Sequence, residues 1–263
     1  MDMARFLINE NEKPLDNIVS DGGFCSIFRT IACDGDSMAS GEFESLDSEG
    51  NKGFHDYFEY SWGQYIAREA GCKVYNFSRG GMTTMEYCES YADRKGFWNE
   101  DLKAQAYIIA LGANDLGGKK MPMGSIEDID LEDYNNNKET FAGYYGKIIQ
   151  KYKKIQPKAK FFLVNFPNGI RTDIIDDLTK LLKDMTEIFD YTYILDLPKY
   201  TPNFYDEAFR EKFFLAGHMN PMGYKLFAKI IMSYIDYIIR ENPEDFAQVG
   251  FIGTPYHNCD AKW

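Results

Sequence analysis

The sequence predicts an α/β protein, a three-layer α/β/α sandwich with about five parallel strands. Two observations carry that expectation. Short apolar, β-branched runs alternate with longer segments of helical periodicity, and parallel neighbours need helical crossovers of that kind. One of the runs, residues 106–112 (AYIIALG), is apolar almost throughout, as a strand covered on both faces must be.

The elements follow in order. Residues 26–33 (SIFRTIAC) read as the first strand and end at a Gly-Asp-Ser turn. Residues 59–71 read as a helix, with Tyr60, Trp62, Tyr65 and Ile66 at helical spacing and Gly71 as its C-cap. Residues 73–78 (KVYNFS) form a second strand, followed by a helix beginning near Thr83, and residues 106–112 form the third. A helix over 138–156 is closed by Pro157, and residues 160–166 (KFFLVNF) form the fourth strand. Residues 172–189 are amphipathic, with Leu178, Leu181, Leu182 and Met185 on one face, and residues 192–197 (TYILDL) supply the fifth strand. The last helix spans 221–239, with Asn220 as N-cap and Pro221 in its first turn. Residues 1–30, 40–56 and 117–137 are loop-rich. They are read as an N-terminal extension over about 1–25, carrying a hairpin, and two loop insertions in a single domain over 1–263.

Composition narrows the function. A hydrophobic content of 44% marks a globular chain with a full core. Lys and Arg number 29 against 41 Asp and Glu, a net charge of -12 that repels phosphate backbones and anionic lipid. Nucleic acid and membranes are therefore not expected as partners. The densest basic run, 147–160, reads as a solvated helix face and the turn after it. Five cysteines (Cys25, Cys33, Cys72, Cys88, Cys259) form no CxxC pair, which favours free thiols in a reducing compartment. No stretch is apolar enough for a signal peptide or a membrane span, so a cytoplasmic location is expected. His55 and His257 have no partner at metal-ligand spacing, and neither a metal nor an organic cofactor is expected.

In an open α/β sheet ligands bind beyond the carboxyl ends of the strands. The residues expected there are Ser37 in GDSMASG, the two glycines of NFSRGGMTT, Asn114 in GAND, and His218 in GHMNPMG just before the last helix. Taken singly each has a bland reading: a helix-capping serine, a tight turn, a capping pair, a structural histidine. Together they are the groups that acyl transfer needs. A serine hydroxyl becomes a nucleophile when a base takes its proton, and histidine titrates in the right range. The oxyanion that follows requires preorganised N–H donors. The backbone of Ser37, the backbone of Gly81 and the amide of Asn114 supply three.

These four blocks, in this order and spacing across residues 26–234, resemble the signature blocks of the SGNH/GDSL hydrolases. The resemblance implies a flavodoxin-like strand order, Ser37 as nucleophile and first oxyanion donor, Gly81 and Asn114 completing the oxyanion hole, and His218 as base. It also implies an ester substrate: an acetylated sugar, a short-chain ester, a lysophospholipid or an acyl thioester. The acidic charge and the lack of a membrane segment tilt this toward a small or carbohydrate-linked ester. The GxSxG elbow of the α/β-hydrolases is absent. One position departs from the family pattern. The Asp usual three residues before the histidine is Leu215 here, so another group must orient the imidazole. Asp196 at the end of the fifth strand and Asp206 (with its neighbour Glu207) are the candidates, and a backbone carbonyl serving a Ser–His dyad is the alternative. The rival to an enzyme is an SGNH-fold binding protein that lost chemistry with its aspartate. A flavin or nucleotide binder of similar layering lacks the phosphate-cradling glycine loop it would need.

Overall fold

The computed structural model describes residues 7–258; Cys259 lies outside them. Five parallel strands form the central sheet. In chain order β1 is Thr30–Gly35, β4 Lys73–Asn76, β5 Ala106–Ala110, β6 Lys160–Val164 and β7 Thr192–Leu195. They lie in the order β4-β1-β5-β6-β7, so the chain starts one strand in from an edge, steps to that edge, then returns and runs to the other. That is the flavodoxin-like order, and its switch point falls beside β1. A hairpin of β2 (Glu42–Leu46) and β3 (Lys52–Asp56) stands outside this sheet.

Consecutive strand residues point to opposite faces, and the core divides accordingly. Ile108, Phe162 and Val164 pack with α2 (Trp62–Ala70) and α9 (Pro221–Glu241) on one side. Tyr107, Ile109, Phe161 and Leu163 pack with α5 (Phe141–Ile155) and α6 (Ile175–Ile188) on the other. Leu178, Leu181, Leu182 and Met185 are buried, as their spacing predicts. Asn220 caps α9 by accepting from Gly223 N–H at 2.9 Å. Among the described residues no helix is long and apolar enough to cross a membrane.

Three expectations change. The first strand begins at Thr30 rather than residue 26, because Gly23–Ile27 coil into a 3₁₀ turn. Phe24 N–H in that turn donates to Asp236 of α9 at 2.8 Å, which docks it on the helix instead of the sheet. The described part of 1–30 accordingly holds no hairpin. Residues 40–56, read as a loop insertion, contain one instead. Its turn is closed by Asp47, whose Oδ1 accepts from the backbone N–H of Glu49 and Asn51 at 2.8 and 2.9 Å, with Gly50 at φ 85°.

Candidate active site

β1 ends at Gly35, and Asp36 caps the four-residue helix α1 (Ser37–Ser40) by accepting from Met38 N–H at 3.0 Å. Ser37 is therefore the first helical residue beyond β1. Gly41 ends the helix in the left-handed region (φ 78°), with no room for a Cβ against the Tyr57 carbonyl, and the chain turns straight into β2. The hairpin is thus tied to the Ser37 turn.

Two further loops gather at the same edge. Arg79 N–H donates to the Gly35 carbonyl at 3.2 Å and fastens the glycine loop to the end of β1. Its guanidinium is a two-pronged partner of Glu86, at 2.8 and 2.7 Å. Gly81 has φ 70° and open space around its missing Cβ, so backbone conformation accounts for glycine there. Asn114 begins the turn after β5, its amide donating to the Met82 carbonyl at 3.1 Å and, at a longer 3.4 Å, to Asp36. Its neighbour Asp115 is buried and accepts from Thr84 N–H at 2.8 Å and Oγ1 at 2.6 Å, which locks the two loops together.

His218 sits on β9 (His218–Met219), paired with β8 (Phe214–Leu215) across a tight turn in which Ala216 takes φ 55°. The Arg210 guanidinium holds that strained turn by donating to the Ala216 carbonyl at 2.7 Å. Both ring nitrogens of His218 meet carboxylates of β2. Nδ1 lies 2.9 Å from Glu44 Oε1, and the same oxygen accepts Gly217 N–H at 2.7 Å. Nε2 lies 3.1 Å from Glu42 Oε1. Glu42 and Glu44 share a face because strand side chains alternate. Phe43 between them points the other way, onto Tyr57, Tyr60 and Tyr224. The Tyr224 hydroxyl donates to the Glu42 carbonyl at 2.8 Å.

The electrostatics are dominated by carboxyls. Burial pushes Asp36 up to about 6; the Met38 N–H and His218 oppose the rise, while Asp115 and Glu42 add to it. Glu44 is held below the usual carboxylate range: burial works against this, but the His218 bond, the Gly217 N–H and nearby Lys52 outweigh it.

The residues proposed from sequence to replace the missing aspartate are engaged elsewhere. Asp196 pairs with Lys183 at 3.0 Å. It follows β7, three strands from β1 and so about 14 Å across the sheet. Asp206 caps α8 (Glu207–Phe213) by accepting from Phe209 N–H at 3.2 Å, and Glu207 is exposed in that helix's first turn. Leu215 is half exposed opposite His218 in the two-residue ladder. Glu42 and Glu44 were missed because their segment was taken for a loop. The signal was the charged–aromatic–charged alternation of Glu42-Phe43-Glu44, continued by a Gly-Asn turn.

No curated protein matches the chain. Among solved structures, a family two carbohydrate esterase from Clostridium thermocellum in complex with cellohexaose has a TM-score of 0.56 at 16% identity, covering 88% of this chain and 67% of its own. A protein from Lactobacillus plantarum gives 0.58 at 17%, covering 80% and 97%. The Clostridium thermocellum family 3 carbohydrate esterase gives 0.50 at 15%, covering 81% and 97%. At these identities the likeness is one of fold. The family model of the GDSL-like lipases and acylhydrolases matches residues 33–226, a span that takes in Ser37, Gly81, Asn114 and His218. With most of its length inside that match, this chain belongs to the GDSL-like lipase/acylhydrolase family, hydrolases that act on ester bonds.

Proposed function

We propose that the protein is a serine esterase working through an acyl-enzyme on Ser37, with His218 as base, and that Glu44 replaces the aspartate missing at Leu215. The observation that carries this reading is the Glu44–His218 Nδ1 contact at 2.9 Å. A carboxylate on Nδ1 fixes the tautomer with Nε2 free to accept a proton and stabilises the imidazolium that forms. The Gly217 N–H bonded to the same oxygen keeps Glu44 from rotating away.

The chemistry balances without a cofactor. Ser37 Oγ bonds to the ester carbonyl carbon as its proton passes to His218 Nε2. The carbonyl oxygen becomes an oxyanion met by the N–H groups of Ser37 and Gly81 and by the Asn114 amide, whose long 3.4 Å contact to Asp36 is the one to give up. The bond to the alcohol breaks and His218 returns the proton to the leaving oxygen. Water then attacks the acyl carbon, losing its proton to His218, and the acyl–oxygen bond breaks as His218 returns that proton to Ser37 Oγ. Ester and water become acid and alcohol.

Two features support a short acyl group on a small or sugar alcohol. A cavity of about 70 Å³ is lined by Asp36 and Met38, the neighbours of Ser37, by Ala113, the neighbour of Asn114, and by Phe166, Pro167 and Ile170. A molecule of liquid water takes about 30 Å³, so the cavity accepts only a few heavy atoms. Beside His218 the exposed Phe54 ring stands edge-on to the imidazole at 6.3 Å, an apolar surface on which a sugar ring can rest. The carbohydrate esterases that share the fold are consistent with that choice.

A fluorophosphonate probe should label the wild type and not Ser37→Ala. p-Nitrophenyl esters should lose kcat/KM as the acyl chain lengthens beyond about four carbons, where the cavity is full. Equal labelling of the Ser37→Ala variant would refute the mechanism, and a preference for octanoate would refute the acyl assignment.

A further inference from the structure

His218 is held by carboxylates at both nitrogens, and only one of them belongs in a serine-hydrolase triad. Glu44 on Nδ1 serves the base. Glu42 on Nε2 occupies the face through which that base would receive the Ser37 proton. We propose that Glu42 is a positioning residue that latches Nε2 of His218 in the resting enzyme and is displaced when substrate enters. The proposal rests on the serine-esterase reading above.

Occupancy gives the first reason. With Nδ1 given to Glu44, Nε2 is the nitrogen left for Ser37, and Glu42 Oε1 stands 3.1 Å from it as an ion-pair contact. A carboxyl at that distance fills the space that a serine hydroxyl would need.

The second reason is that the fold provides a seat for the Glu42 carboxyl. A Cβ on Gly80 would collide with Glu42 Oε2, so glycine beside the oxyanion loop leaves the slot that this side chain fills. The Glu42 backbone is pinned by the Tyr224 hydroxyl, and its side chain is only 11% exposed. Gly80 adjoins Gly81, so an ester whose carbonyl reaches the Gly81 N–H comes up beside this slot and frees Nε2 if it displaces the carboxyl.

The charged surroundings favour release. From β3, Asp56 accepts from the Ser40 hydroxyl and from Gly80 N–H, and His55 stands one pair along from Glu44 in the hairpin register. From β2 there is Glu44, with Lys52 at 3.6 Å; from α1 there is the capping Asp36. The Arg79 guanidinium nearby is committed to Glu86. Burial pushes the Glu42 carboxyl up; His218 pulls against this, Asp56 and Glu44 add to the rise, and His55 opposes it. Glu42 is thus ion-paired with His218, with His55 a weaker favourable neighbour, and is repelled by the carboxylates of Asp56 and Glu44.

The test compares fluorophosphonate labelling rates of Ser37 and kcat and KM for p-nitrophenyl acetate in wild type, Glu42→Ala and Gly80→Ala. A single ion-pair contact is worth at most about a factor of five, and Glu42→Ala should speed labelling and raise kcat/KM by about that factor. Gly80→Ala, which evicts the carboxyl without removing it, should move both readouts in the same direction. Variants that fold and label at the wild-type rate or more slowly would overturn the latch while leaving Ser37 as nucleophile. Absence of labelling in wild type and both variants would overturn the esterase reading and the latch with it.

Discussion

Removing Glu44, the carboxylate proposed to stand in for the family aspartate, is the most demanding perturbation of this site. Glu44 Oε1 accepts from both His218 Nδ1 and Gly217 N–H, so Glu44→Gln and Glu44→Ala remove different things. Glutamine can keep its amide oxygen where Oε1 lies and retain both bonds, losing only the charge. Hydrogen bonds to charged groups contribute about 1.5–3 kcal/mol against about 1 for neutral ones. The difference corresponds to roughly 3–30-fold in rate. Alanine removes the acceptor as well, leaves the tautomer unspecified and frees the Ala216–Gly217 turn. In the serine-protease template, loss of the correct tautomer costs about 10⁴-fold. Glu44 is partly wet and shares its charge with Lys52 at 3.6 Å, so about 10²–10⁴-fold in kcat is expected for Glu44→Ala. The assay is kcat and KM on p-nitrophenyl acetate near pH 8, with thermal unfolding to confirm the fold. KM should change much less than kcat. Leu215→Asp should give no gain in wild type, because Nδ1 is already taken. A Glu44→Ala enzyme retaining kcat within threefold would refute the assignment and return the dyad as the working arrangement.

Two further outcomes are expected. Asn114→Ala should lower kcat by about 10²–10³-fold, the scale of one lost oxyanion donor; an effect confined to KM would reassign Asn114 to ground-state binding. Asp36 tests the buried charge beside Ser37. Its carboxyl is pushed up to about 6 in the fold, against about 4 in an unfolded chain. The folded protein thus holds this proton more tightly, and its stability falls as pH rises from about 4 to about 6. The loss is complete above that window, up to about 3 kcal/mol. Asp36→Asn keeps an oxygen to cap Met38 N–H and cannot ionise. It should therefore raise Tm at pH 7–8 and give no gain at pH 4. A stability difference independent of pH would remove the charge argument.

Much of the fold was legible in the sequence because it rests on local periodicity. The Leu178–Met185 stripe, the Asn220-Pro221 start of the last helix and the unbroken apolar run at 106–110 are properties of a few residues and their neighbours. Their burial and capping follow directly. The boundary error at the first strand has a tertiary cause. Residues 26–29 have strand-like composition, but Asp236 in the last helix captures Phe24 N–H and holds the preceding turn off the sheet.

The site divides along the same line. By itself the sequence determined the four motif blocks that hold Ser37, Gly81, Asn114 and His218. The first three lie two to five residues past the ends of β1, β4 and β5, where a parallel sheet gathers its loops at one edge, and His218 comes just before the last helix. Only the tertiary structure decided what meets the imidazole. Glu42 and Glu44 lie more than 170 positions from His218 in the chain, in a hairpin whose place is set by the left-handed stop at Gly41 and by Phe43 packing on Tyr57, Tyr60 and Tyr224. The spacing rule that looks three residues upstream of a histidine reads only local chain. Here the carboxylates arrive from a separate sheet, and side-chain alternation along β2 points both of them to the side where His218 lies.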